Sequence, residues 1–176
     1  MFDASTLILL AKIDILGIFI ANFAKKVAIS DKVKEEVLEG TTPDVPFIRK
    51  LIQEGKIEVF KSKEKKLGRK LVEDFNIDEG EAETLAIAIE EKASLVATDD
   101  KNAIRACKIM KLEFTTAIAI LVRACEKGLI EGDEALTKLQ KFQSLARYKK
   151  RIIETARNQI EGVAKYGKKN GKHTNG

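Results

Sequence analysis

Four acidic residues stand at the edges of apolar segments, where they could act together. They are Asp3 after Met1-Phe2, Glu36 after Val33, Glu81 in Gly80-Glu81-Ala82-Glu83, and Asp99 after Leu95-Val96-Ala97-Thr98. Carboxylates are hard oxygen ligands, and a cluster of them at the ends of parallel strands suits Mg²⁺ or Mn²⁺. A metal ion held in this way can activate water for phosphodiester hydrolysis. The residue types therefore suggest a metal-dependent hydrolytic site, provided that the fold brings them together.

Short apolar segments alternate with helical patterns over the first 130 residues. The segments 1–2, 27–29, 57–60, 95–98 and 113–115 are predicted strands. The predicted helices are 6–13, 15–23, 32–39, 47–54, 61–75, 79–91, 101–110 and 118–127, and the two prolines place 41–46 in a loop. This alternation predicts an α/β fold with a parallel sheet sandwiched between helices, in a three-layer arrangement. Sites in such sheets lie outside the carboxyl ends of the strands, and Asp3 and Asp99 each follow a predicted strand.

The chain is divided by its composition. We assign an α/β domain to residues 1–130, a helical extension to 131–163, and a disordered basic tail to 164–176. The net charge is +5, yet nine Lys/Arg and two Glu between 147 and 176 give +7, so residues 1–146 carry 5 − 7 = −2. A basic end on a slightly acidic body suggests contact with a polyanion such as RNA, although a solvated helix would look the same.

Several classes of protein are disfavoured by what the chain contains. The only histidine, His173, lies in the tail, so a Ser-His-Asp triad or a His-rich zinc site is not expected. No apolar run reaches the ~18 residues of a membrane span, and no signal-peptide pattern is present. Cys107 and Cys125 lack a CxxC pattern and are interpreted as buried, reduced thiols. We therefore expect a cytoplasmic protein with no membrane association.

The acidic residues and their flanks together resemble the PIN domain, a metal-dependent nuclease fold. The matching segments are Phe2-Asp3-Ala4-Ser5-Thr6-Leu7-Ile8, Ile29-Ser30-Asp31-Lys32-Val33-Lys34-Glu35-Glu36-Val37-Leu38, Asp78-Glu79-Gly80-Glu81-Ala82-Glu83-Thr84-Leu85-Ala86-Ile87-Ala88 and Leu95-Val96-Ala97-Thr98-Asp99-Asp100-Lys101. Their order and spacing match over about residues 1–130, and the Gly-Glu-Ala-Glu run is similar to small prokaryotic members akin to VapC toxins. The resemblance implies a Rossmann-like three-layer fold and a Mg²⁺- or Mn²⁺-dependent endoribonuclease.

The resemblance also implies roles for individual residues. Asp3 and Asp99 would bind the metal directly, and Glu36 and Glu81 would complete the acidic pocket directly or through water. Ser5 would sit beside the site, and Glu83 and Asp100 are substitutes for their neighbours that the sequence alone does not exclude. One or two ions are compatible with this set, and hydrolysis would leave a 5′-phosphate.

Basic residues are predicted to hold the RNA backbone, because phosphate contacts position a nucleic acid without reading its sequence. The candidates form two clusters, Lys65, Lys66 and Arg69 in one and Arg147, Lys149, Lys150 and Arg151 in the other. The resemblance to toxins further implies an antitoxin protein as a partner and a homodimer as an assembly.

Two other interpretations remain open at this point. A haloacid-dehalogenase-like phosphatase also has an early Asp at a strand end and a late Asp pair, but it needs a second Asp where this chain has Ser5. A PIN scaffold can also bind RNA or the ribosome without catalysis. The complete set of four acids argues against that inactive alternative.

Overall fold

The computed structural model describes residues 1–146 and 148–170. Within these ranges the strands are β1 Val27–Ser30, β2 Ile57–Phe60, β3 Val96–Ala97 and β4 Phe114–Thr115. The helices are α1 Ala4–Lys12, α2 Leu16–Asn22, α3 Asp31–Glu39, α4 Val45–Gln53, α5 Lys65–Phe75, α6 Glu79–Glu90, α7 Lys101–Ile109, α8 Ala117–Glu126, α9 Gly132–Leu145 and α10 Lys150–Asn170.

The strands are parallel, and Phe2 joins them into one sheet. β1 pairs with β2, and β3 pairs with β4. Phe2 forms parallel bridges to Ile29 on one side and to Ala97 on the other. The order across the sheet is therefore β2, β1, Phe2, β3, β4, which confirms the predicted parallel α/β fold.

The backbone around Phe2 is held from both sides. Its N–H donates to the carbonyl oxygen of Ala28 at 2.9 Å, and the next N–H, of Asp3, donates to Ala97 at 3.0 Å. The Phe2 side chain is only 3% exposed, and its ring meets that of Phe19 edge-on at 5.4 Å between centroids. A single residue therefore connects the two halves of the sheet and places Asp3 at the carboxyl end of its centre.

Helices cover the sheet because its strands are apolar on both faces. All four residues of β1 are buried, although successive strand residues point to opposite faces. A buried cluster that includes Leu71 of α5, Leu85 of α6, Val96 of β3 and Cys107 of α7 fills one part of the core. Cys107 and Cys125 are both free and buried, as the sequence predicts.

Several helix boundaries differ from the sequence prediction, including the start of α5, which is Lys65 rather than residue 61. α4 begins at Val45, so Pro46 belongs to a helix rather than to the predicted loop 41–46. Proline is tolerated there because the first-turn N–H groups have no partner within the helix. α10 continues to Asn170, seven residues beyond the predicted end at 163. The remainder of the predicted tail, 171–176, lies outside the described residues.

The chain forms two compact units, Met1–Ala117 and a second that begins at Ile118. In the second unit α9 packs against α10, where a Cβ at Gly132 would lie 2.7 Å from that of Ala164. The predicted domain boundary at residue 130 stays a prediction. Within the described ranges no single helix has the length and hydropathy to cross a membrane; α1 and α2 meet the criterion only as a pair, bent by 105°.

Candidate active site

Asp3 has a buried carboxylate with two different oxygen environments. Oδ1 caps α1 by accepting the N–H of Thr6 at 2.7 Å, and it also accepts the Ser5 hydroxyl at 3.2 Å. Oδ2 is buried and has no hydrogen-bond partner among the described residues. Burial raises the pKa of Asp3 and the Asp99 charge adds to this, although neighbouring Thr98 and Thr6 act in the opposite direction. A buried carboxylate oxygen without a partner is costly, and a bound cation would relieve that cost.

Thr6 connects Asp3 to Asp99. Its backbone N–H binds Asp3, and its hydroxyl donates to Oδ2 of Asp99 at 2.9 Å. The same Asp99 oxygen accepts the N–H of Ala117 at 3.0 Å. The structure therefore brings the two predicted metal ligands together at the carboxyl ends of the central strands. Thr6, which stands at the third helical position after the capping Asp3, was not among the site residues predicted from the sequence.

Glu81 and Glu36 lie within electrostatic reach of the same carboxylate. Burial raises the pKa of Glu81 to about 7, and the charges of Asp78, Asp100 and Asp3 contribute. Burial also raises the pKa of Glu36, again with contributions from Asp78 and Asp3. Like charges disfavour one another's ionised forms, so this group is poised to accept a cation.

Asp78 is a further member of the acidic group that was not among the site residues predicted from the sequence. Its side chain accepts the N–H of Glu81 at 2.7 Å, and Oε2 of Glu81 accepts the N–H of Asp78 at 3.1 Å. This reciprocal capping box holds both carboxylates at the start of α6. The Asp-x-x-Glu spacing was the available signal, because a capping box requires the two side chains to be neighbours.

Glu83 and Asp100, the two predicted substitutes, are engaged elsewhere. Oε2 of Glu83 accepts the N–H of Lys32 at the start of α3. Oδ1 of Asp100 caps α7 by accepting the N–H groups of Asn102 and Ala103 at 2.7 and 2.8 Å. These contacts favour Glu81 over Glu83 and Asp99 over Asp100 as members of the site.

The residues fit a divalent ion that keeps part of its water shell. Within residues 1–146 and 148–170, no group of three or more His, Cys, Asp or Glu side chains is arranged so that it could hold a metal ion. Mg²⁺ is usually bound by one or two carboxylates together with waters and substrate phosphate, rather than by an all-protein cage. Asp3, with its unpartnered oxygen, and Asp99 match that requirement, and Glu81 and Glu36 stand near enough to reinforce it.

The described members of the two predicted RNA-binding clusters belong to different compact units. Lys65 and Arg69 line a pocket in the first compact unit, and Lys66 is an exposed residue of the same helix. Lys149, Lys150 and Arg151 are exposed around the start of α10, where Lys150 pairs with Glu154. Arg147 lies outside the described residues. RNA binding by either cluster stays a prediction from the sequence.

A pH effect on stability is expected from Glu81. Its folded-state pKa of about 7 exceeds the ordinary 4.5, so the folded protein binds this proton more tightly than the unfolded chain. Stability of the metal-free protein should therefore fall as pH rises from about 4.5 to about 7, by about 1 kcal/mol after solvent screening of this half-exposed group.

The measurement is urea unfolding in EDTA at about pH 5 and about pH 8. Glu81→Gln should flatten the pH dependence, whereas the exposed Glu35→Gln should leave it as in the wild type. Parallel pH profiles for the wild type and Glu81→Gln would show that Glu81 does not titrate in this way.

In parallel α/β domains, ligands bind outside the carboxyl ends of the strands, which is where these carboxylates meet. The family model for the PIN domain matches residues 1–161, and this chain belongs to that family. PIN domains are generally nucleases and typically use divalent metal ions. No curated protein and no solved structure matches the chain significantly.

Proposed function

We propose that this protein is an endoribonuclease that hydrolyses RNA phosphodiesters with Mg²⁺ or Mn²⁺ bound at the acidic group. The observation that carries the proposal is the buried, unpartnered Oδ2 of Asp3 beside Asp99. Membership of a family of nucleases supports the same reaction class.

The residues of the site would have different roles in this reaction. Asp3 and Asp99 hold the metal, and Thr6 fixes the orientation of both carboxylates. Glu81 and Glu36 add negative charge, either as ligands or through metal-bound water. When bound, the ion supplies an activated water and stabilises charge on the phosphate oxygens. Hydrolysis by this route leaves a 5′-phosphate on the product.

Asp99 and its neighbour Asp100 provide a matched test. Asp99→Asn should reduce metal-dependent cleavage by at least about tenfold, because removing a group that supports a metal ion typically costs ten- to a hundredfold. Asp100→Asn should retain most activity, because asparagine caps a helix as well as aspartate does. The measurement is cleavage of labelled single-stranded and structured RNAs with Mn²⁺, Mg²⁺ or EDTA.

Other outcomes of this assay, or of parallel measurements of phosphomonoester turnover and metal binding, would change the functional assignment. Equal loss in both variants would remove the distinction between Asp99 and Asp100. Turnover of a simple phosphomonoester without RNA cleavage would favour the phosphatase alternative, and an absence of metal binding would favour the inactive scaffold. The toxin-like role, the antitoxin partner and the homodimer remain predictions from the resemblance.

A further inference from the structure

A pocket lined by charged and apolar side chains lies in the first compact unit. It encloses about 420 Å³, within the range of small-ligand sites. Lys61 and Ser62 line it directly after β2, and α5 contributes Lys65 and Arg69. The apolar surface of the pocket includes Val72 and Ala82.

The four cations that line this pocket, Lys32, Lys61, Lys65 and Arg69, differ in their ion pairs. Lys32 pairs with Glu79, and Lys61 pairs with Asp31 at 3.4 Å. By contrast, no ion pair to Lys65 or Arg69 is present among the described residues. Unpaired cations over an apolar surface favour a ligand that carries both phosphate and a flat or apolar part.

The glutamates of the pocket do not cancel this preference. Glu79 is held by Lys32, and Glu83 accepts the Lys32 backbone N–H at 3.1 Å. Glu73 is the third glutamate that lines the pocket. Its carboxylate can accept a hydrogen bond from the 2′-hydroxyl of a ribose, because that hydroxyl can act as a donor. The pocket therefore combines groups for phosphate with one for ribose.

The pocket rim is fixed relative to the acidic group. Glu90 of α6 accepts the N–H groups of Lys63 and Glu64 and the hydroxyl of Ser62, which anchors the segment after β2. β2 lies two positions from Phe2 in the parallel sheet. Strand spacing places the ends of these positions about 10 Å apart along the same edge. A single RNA strand that follows this edge would pass both places.

We infer that this pocket binds one nucleotide of the RNA strand adjacent to the bond cleaved at Asp3, with Lys65 and Arg69 on its phosphates. The inference rests on the proposed function, because the substrate is the same RNA. It differs from a general basic patch, since it singles out Lys65 and Arg69 from Lys66 and Lys70 of the same helix, which do not line the pocket.

The test is binding of a fluorescently labelled single-stranded RNA in EDTA at several salt concentrations. Each phosphate contact to a single strand contributes about 0.7 to the slope of log affinity against log salt. Lys65→Ala with Arg69→Ala should therefore lower the slope by about 1.4. The matched double variant, Lys12→Ala with Lys25→Ala, removes two exposed lysines that do not line the pocket and should leave the slope as in the wild type.

Gly68 provides a test that leaves the charges unchanged. It lines the same pocket, and a Cβ there would meet nothing within 4 Å. Gly68→Leu should weaken RNA binding at every salt concentration by occupying the cavity, whereas Gly68→Ala adds only a methyl group and should bind as the wild type does.

Equal losses in the two double variants, or unchanged binding by Gly68→Leu, would overturn the inference. EDTA separates binding from catalysis, so the two proposals fail differently. If the wild type binds RNA through the pocket but does not cleave it, the nuclease proposal fails. If the wild type cleaves RNA but its binding does not depend on the pocket residues, the inference about the pocket fails.

Discussion

Replacing Asp3 with asparagine is expected to reduce metal-dependent RNA cleavage by at least about a hundredfold. The neutral amide removes the charge that would hold the ion, and with it the buried Oδ2 that now has no partner. Because Asp3 lies at the end of the central strand position, no other carboxylate can take its place without moving the backbone. The assay compares initial cleavage rates with Mn²⁺ for the two proteins.

The same variant should remain folded. Asparagine is as good a helix cap as aspartate, so the contact to the Thr6 N–H can persist. A buried neutral amide also avoids the cost of burying a charge, so metal-free Asp3→Asn should unfold at the wild-type temperature or above it. Asp3→Ala loses the cap and should cost about 1 kcal/mol.

Asp74→Asn serves as the control, because it makes the same chemical change at an exposed position of α5. It should cleave RNA at the wild-type rate. Wild-type activity in Asp3→Asn would remove this residue from the mechanism, whatever the behaviour of the other acids.

Replacing Phe2 with alanine should lower the free energy of unfolding by about 3–5 kcal/mol. The side chain is 3% exposed, packs edge-on against Phe19, and belongs to the residue that bridges β1 to β3. The loss combines the transfer free energy of the ring with a cavity at the centre of the sheet. Urea unfolding measures the difference.

The matched control is Phe47→Ala, because Phe47 is 40% exposed. Its removal should cost less than half as much. Similar losses for the two phenylalanines would contradict the central position of Phe2. Since Phe2 precedes Asp3, cleavage by Phe2→Ala should also fall under conditions in which the variant is still folded.

Local patterns were sufficient to predict most of the elements. Ser30 and Asp78 cap α3 and α6, in agreement with the preference of Ser and Asp for the position before a helix. Parallel pairing followed from the alternation of strands and helices, and so did the placement of Asp3 and Asp99 at one edge. The prediction was wrong where tertiary packing or local geometry determines the boundary of an element, as at Pro46, which lies in the first turn of α4.

The sequence alone was less able to predict which residues belong to the site. Residues two positions apart on a helix face different directions, but spacing alone does not say which of Glu81 and Glu83 faces Asp3. In the structure Glu81 forms the capping box with Asp78, and Glu83 accepts the Lys32 N–H. The link through Thr6 joins residues 93 positions apart in the chain, so only the folded structure reveals it.

The central claim is that the acidic group at Asp3 is a divalent-metal site, and calorimetric titration with Mn²⁺ at neutral pH tests it most directly. We expect saturable binding to the wild type and its loss in Asp3→Asn, with Asp74→Asn binding like the wild type. An absence of binding to the folded wild type, or equal binding by Asp3→Asn, would contradict the claim.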